Sequence, residues 1–444
     1  MNALKCLFTG ALGTEPSESD SKITFKEPNQ RVFDIFHKLI ARGTFVAMVA
    51  VILYYVYAFA ALYNGSTSFD WLLGIFSDFV EIMNFSLEES PYIVEGSSYP
   101  PIAIAILYPF ALICKNVFAR FAYTTLTVDE LTSEVMLYPQ FWVAILLFFA
   151  ICSLLIVFLC AKLFGIKGAN VFKLAAIIML SAPFVYTVMR GNTIYFALIF
   201  LVAFLICKDS KSAAVRELSY VLLALAGAIK IYPLFFGVFL LRKKKIFASF
   251  RVAVYFFLIF SLSFYFFRGG LDDAGQFVDN LGGFMSNELR LLANNNISIS
   301  AQIYKLLHLF VPKLTAESII YSVFNLSLLA IVFALGTYTA VATRSNLSRY
   351  SICFAVVTLI PSISYFYTMI FAILPFLEYI RVFDTLSKRK QIFYFCAFAF
   401  LFSAILVFPK YFVIHSLVII TIFIAETVSV IKERIALRHA ALKN

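Results

Sequence analysis

An all-α polytopic membrane protein is predicted by three features of the chain. Apolar residues are in excess, they gather into runs long enough to cross a bilayer, and lysine and arginine are distributed one-sidedly. Hydrophobic residues fill 62% of the 444 positions and charged residues only 14%. Soluble domains run near half apolar and a quarter charged, because a folded surface in water needs polar cover. Lipid is therefore the solvent for most of this chain. The net charge of +11 does not indicate nucleic-acid binding, since the cations sit in short loops between apolar runs rather than in one stripe.

Apolar runs of spanning or near-spanning length cover 43–63, 100–114, 139–161, 171–188, 193–207, 218–241, 248–267, 316–340, 351–380, 391–408 and 411–431. Pro361 and Pro375 interrupt the long 351–380 run, and Lys230-Ile231-Tyr232-Pro233 breaks 218–241. A proline or a lysine inside such a run suggests a hairpin or an unwound helix lining a cavity. With these breaks, about 11–13 spanning helices are expected. The run that begins near Gly43 follows 42 mostly polar residues, so it is expected to stay as an anchor rather than be cleaved as a signal peptide. The organisation expected is a cytoplasmic tail (1–42), one multi-pass domain (43–431) and a second cytoplasmic tail (432–444).

Orientation follows from lysine and arginine, which favour the cytoplasmic side. Lys5, Lys22, Lys26, Arg31, Lys38 and Arg42 precede the first run, whereas residues 43–114 carry no lysine or arginine. Loop 64–99 is therefore outside, as is a second large loop at 268–314. The basic clusters at 162–173, 208–216, 242–245, 344–349 and 381–390 belong inside. Two runs, 100–114 and 139–161, separate the first outer loop from the Lys162 cluster, where parity requires an odd number of crossings. Either 115–138 hides a crossing or one run is re-entrant. Beyond Lys162 the clusters fit the cytoplasm only if both broken runs are hairpins.

Within the first outer loop, Phe69, Leu72, Leu73, Phe76, Phe79, Val80 and Met83 recur at three- and four-residue spacing, the mark of an amphipathic helix over 69–85. Asp70, Ser77, Asp78 and Glu81 fall on its other face. Such a helix would lie along the outer membrane surface with its apolar face in lipid or protein and its carboxylates toward water or a cleft.

Several motifs occur in a characteristic order: Ser77-Asp78-Phe79, Ser90-Pro91-Tyr92 and Ser98-Tyr99-Pro100-Pro101; Arg190-Gly191-Asn192; Lys230-Ile231-Tyr232-Pro233 followed by Arg242-Lys243-Lys244-Lys245; Asn294-Asn295-Asn296-Ile297-Ser298; and Pro361 to Tyr367, with Leu374-Pro375 beyond. Over roughly 75–376 this order resembles glycosyltransferase family 87, part of the GT-C superfamily of polytopic enzymes that use polyprenyl-phosphate sugars. Asn192 stands where that family has glutamine, and Tyr365 and Tyr367 where tryptophan and histidine are more usual. Those departures bear on the donor or acceptor pocket.

The resemblance implies a GT-C fold and an inverting transfer of a hexose, mannose by the family pattern. The donor would be a polyprenyl-phosphate sugar, the acceptor a glycolipid or glycan, and the site would face the periplasm or exterior of a bacterial inner membrane. It implies Asp78 as catalytic base, with Asp70 and Glu81 as rivals on the same helix face. A sugar hydroxyl is a poor nucleophile, and a carboxylate in reach can take its proton. Lys230 and Arg190 are expected to meet the leaving phosphate, with Arg268 and Arg290 in second rank. Tyr92, Tyr99, Asn192, Tyr232, Asn294, Asn296, Tyr365 and Tyr367 are the candidate substrate contacts. A monomer without cofactor or metal is expected: His37, His308, His415 and His439 are far apart in the chain, there is no CxxC pair, and no GxxxxGK[ST] loop points to ATP. Two other readings share the topology. One is a lipid-linked glycan transporter, whose broken helices would look alike. The other is a polysaccharide ligase or polymerase with a lipid-pyrophosphate donor, for which His308 and Arg290 are the relevant residues.

Overall fold

A computed structural model describes residues 29–63, 75–93, 96–121, 126–242, 245–403 and 412–443; Asp70 lies outside them. Among the described residues every regular element is a helix, as the composition predicts. The first is α1 (Gln30–Tyr63). In the first large polar loop stands α2 (Ser77–Leu87), followed by two short helices, α3 (Pro101–Ala105) and α4 (Tyr108–Phe118). Then comes α5 (Val128–Val135), started by a capping box in which Thr127 and Glu130 accept each other's backbone N–H.

These four helices bear on the parity question. The 11 residues of α4 rise about 16 Å, half of a hydrocarbon core of about 30 Å. α5 packs back on α2, so the described residues at the two ends of this stretch lie side by side, as a re-entrant 100–114 run requires. The crossing is made by α6 (Pro139–Phe164), which starts on a proline in its first turn and ends on Gly165 in the left-handed region.

Next come α7 (Ala169–Leu180) and α8 (Ala182–Arg190), bent by 58° at the break before Pro183, where the ring removes a helical N–H. α9 (Ile194–Cys207) leads to α10 (Ala213–Ile229). A 3-10 helix at Tyr232–Gly237 and the short α11 (Val238–Arg242) fold back on α10, so the Lys230–Pro233 break is a hairpin. α12 (Ile246–Ser263) follows, then α13 (Asp272–Ser286), α14 (Glu288–Leu292) and α15 (Ile299–Phe310) of the second large loop. After α16 (Ile319–Ala342), α17 (Asn346–Leu359) and α18 (Ile373–Val382), with the 3-10 turn Phe366–Ala372 between them, form the second hairpin. α19 (Lys388–Phe402) and α20 (Phe412–Lys443) close the chain.

Among the described residues five helices are long and apolar enough to cross a membrane, and a sixth if the bent pair counts as one span. Ile194–Cys207 and Tyr232–Arg242 are apolar but shorter. The second hairpin is the centre of the molecule, with all of α17 from Leu347 to Leu359 buried. α12 and α16 lie at the periphery, their outward leucines and phenylalanines exposed, which is the arrangement expected where lipid is the outer solvent.

Candidate active site

Residues 69–74 of the expected amphipathic helix lie outside the described residues. The described part, α2, is packed on most of its circumference, and Phe79, Val80, Ile82 and Met83 are wholly buried. Phe79 meets Phe148 at 5.1 Å and Phe110 at 6.1 Å between ring centres. Phe76 and Phe79 pack on other rings of the protein, and Asp78 and Glu81 line a cleft.

Two chain segments 112 residues apart lock at this point. Phe76, the residue before α2, holds φ at 64°, unusual for a bulky side chain. Its ring is wedged among Phe141, Trp142 and Phe149, and its N–H donates to the Met189 carbonyl at 2.6 Å. Asp78, only 4% exposed, then accepts from the Arg190 guanidinium on one oxygen and from the Asn192 amide, at 2.7 Å, on the other. Asn192 is oriented in turn by the Ile194 N–H, 3.0 Å from its side-chain oxygen. Between these partners, Gly191 turns at φ 65°, and a Cβ there would stand 2.4 Å from the Phe79 Cβ. Only glycine allows both the turn and the approach. Gly191→Ala is expected to cost about 2–5 kcal/mol, the sum of the left-handed penalty and overpacking, read as a lower thermal unfolding midpoint in detergent. An unchanged midpoint would show that the segments are not locked here.

Asp78, Glu81, Tyr99, Arg190 and Lys230 line one cavity of about 1550 Å³. Lys230 ends α10, where the chain turns from helix to extended backbone. Its ammonium sits 5.0 Å from the Tyr99 ring centre and 5.7 Å from that of Tyr367, held by the negative faces of the rings. It is also within electrostatic range of Asp78 and Glu81. Burial, and then the neighbouring Asp78 charge, push the Glu81 carboxyl up to about 7. The same cavity is also lined by Leu234 and Val238 of the first hairpin, Val252 and Phe256 of α12, and Phe333 of α16, an apolar arm of its wall bounded by peripheral helices.

The structure brings Tyr232, Tyr365 and Tyr367 to the same cavity. The Tyr232 hydroxyl is buried without a hydrogen-bond partner among the described residues. Other expected contacts are elsewhere. Tyr92 is core, its ring among Phe264, Phe267 and Phe277 and its hydroxyl donating to the Tyr99 carbonyl at 3.1 Å. Asn294 is exposed outside the cavity. Asn296 spends its amide on the Arg290 and Ser362 carbonyls and its oxygen on the Ser298 and Ser364 N–H groups, fastening the outer loop to the second hairpin. Its neighbour Asn295 lines the cavity instead. Arg268 pairs with Glu89 at the surface, and the His308 ring stacks on Tyr304 away from the cavity. Asp129 of α5, in a segment with no motif, reaches the outer mouth; its capping box was the available sign of a short helix there.

A model described as glycosyltransferase family 87 matches residues 98–364, more than half of the chain. The match takes in Tyr99, Arg190, Asn192, Lys230 and Arg290 but begins after Asp78, which joins the site through its two bonded partners. No curated protein and no solved structure matches the chain.

Proposed function

Because this chain belongs to glycosyltransferase family 87, we propose that its cavity transfers a hexose, mannose by the family pattern, from a polyprenyl-phosphate donor to a glycolipid or glycan acceptor on the non-cytoplasmic face of a bacterial inner membrane. The observation that carries this reading is the composition of the cavity: a charged end built from Asp78, Arg190 and Lys230, continuous with an apolar arm. A lipid-linked sugar has the same two parts. Its phosphate and sugar fit the charged end, and its hydrocarbon chain suits the arm under α12 and α16.

In the proposed step the acceptor oxygen attacks the anomeric carbon from the side opposite the phosphate. A new C–O bond forms as the bond to the phosphate oxygen breaks, and the anomeric centre inverts. Asp78 takes the acceptor's proton, Arg190 and Asn192 having fixed its oxygens. The bond's electron pair leaves with the lipid phosphate, whose charge Lys230 meets at the head of the arm. No proton is needed on the leaving group, so one base suffices.

The test is direct. Purified protein receives radiolabelled polyprenyl-phosphate mannose and a panel of acceptors. Appearance of labelled acceptor together with free polyprenyl phosphate is expected. Movement of intact donor across a liposome bilayer with no bond cleaved would favour the transporter and sink this reading.

A pH dependence follows from Glu81. Its pKa, raised to about 7, leaves it neutral below that pH and negative above it. The new charge lies in range of Lys230 and competes with the donor phosphate. The donor KM is therefore expected to rise with pH through 7, and Glu81→Gln to flatten that limb. A limb that persists in the variant would assign it to another group.

A further inference from the structure

Arg190 is answered by Asp78, and Lys230 stands at the head of the apolar arm, but the cavity carries one more cation, Arg290. Among the described residues no carboxylate lies within salt-bridge distance of it. Glu81 acts on it only through space. Its guanidinium is nevertheless fixed. It lies 4.0 Å from the centre of the Phe284 ring and donates to the Tyr365 hydroxyl at 3.5 Å. Its backbone is held as well: the N–H donates to the Asn287 side chain at 3.2 Å, and the carbonyl accepts from Asn296 at 3.1 Å. A half-buried guanidinium that is clamped in place yet lacks a counter-ion leaves a planar fork of donors pointing at the cavity. An anion in the cavity would meet that fork with charge-assisted hydrogen bonds.

The donor brings one phosphate, which Lys230 meets at the inner end. Arg290 belongs to α14 in the outer loop, beside Asn287 and Asn295 on the cavity wall, where an acceptor would come in. We propose that Arg290 forms a second anion subsite that binds a phosphate or carboxylate carried by the acceptor, so that the enzyme prefers an anionic glycan or glycolipid. This rests on the transfer reaction proposed above and adds the charge class of its acceptor.

Three acceptors test it with labelled polyprenyl-phosphate mannose: octyl mannoside, octyl mannoside 6-phosphate and octyl glucuronide. A charged acceptor is expected to exceed the neutral one in kcat/KM by about ten- to hundredfold, the range for a hydrogen bond to a charged group. In Arg290→Gln that ratio falls toward one, and in Arg290→Lys it partly returns. Equal use of all three acceptors by the wild-type protein overturns the proposal, as does a ratio that Arg290→Gln leaves intact. A rise in donor KM with the ratio untouched overturns it too, by placing the guanidinium on the donor. A calorimetric titration reads the subsite without turnover. Octyl phosphate is expected to bind the Lys230→Met protein and to lose that binding when Arg290→Gln is added; no binding to Lys230→Met overturns the subsite. Absence of donor cleavage with every acceptor, with octyl phosphate binding retained, would instead strike the transfer reaction and spare the anion site.

Discussion

Asp78→Asn is expected to lower sugar transfer by about 10²–10⁴-fold, the usual contribution of a positioned general base. The substitution keeps the shape of the side chain. Its remaining oxygen can still accept one of the two bonds that dock α2, but the amide nitrogen then faces a donor it cannot satisfy, either the Arg190 guanidinium or the Asn192 amide. Breaking a fully buried pair this way costs roughly 3–5 kcal/mol. The cost here is smaller, because the Arg190 side chain keeps 28% of its exposure and can reach water. Thermal unfolding in detergent is measured beside activity for that reason. A variant that melts within a few degrees of wild type, yet turns over donor at a hundredth of the rate or less, supports the role of the base. A folded Asp78→Asn protein with more than a tenth of wild-type activity would remove Asp78 from the chemistry.

Lys230→Met is expected to reduce kcat by about 10²–10³-fold, the loss seen when one group stabilising developing negative charge is removed. Methionine keeps the unbranched stem between the Tyr99 and Tyr367 rings, where a thioether packs well, and removes only the charge. That charge is held between two rings and largely out of water, where it is costly. The variant is therefore expected to be no less stable than wild type. Lost turnover without lost stability separates a catalytic role from a structural one. Lys230→Arg, which restores a cation in a bulkier form, is expected to recover part of the rate. Undiminished turnover in the methionine variant would mean that another group meets the leaving phosphate.

Much of this architecture was legible before any coordinates. Apolar excess and the basic clusters predict a multi-pass helical protein, and Lys230-Ile231-Tyr232-Pro233 and Pro361 predict the two hairpins, because a proline withdraws an N–H and a lysine needs a polar outlet. Less legible was the 100–114 run, whose hydrophobicity says only that it is buried, not that it stops short of a span. What covers the apolar face of α2 stayed open for a related reason: periodicity reports an apolar stripe, whether lipid or protein packs on it. The Asp78, Arg190 and Asn192 set was visible only as separate candidates, since partners 112 residues apart leave no spacing to read. The same limit exchanged Asn295 for Asn296. In a run of three asparagines, the backbone turn alone decides which amide is consumed by neighbouring carbonyls and which faces the cavity.

The lock between the turn at Phe76 and the turn at Gly191 also bears on how the protein is made. A ribosome delivers the chain from its N-terminus, so the residue proposed as base emerges long before Arg190 and Asn192 exist to hold it. The proposed base cannot be seated until the bent segment ending at Arg190 has itself been put in place. A nascent chain halted earlier would carry an unassembled centre, and chemical competence would arrive with membrane insertion instead of preceding it.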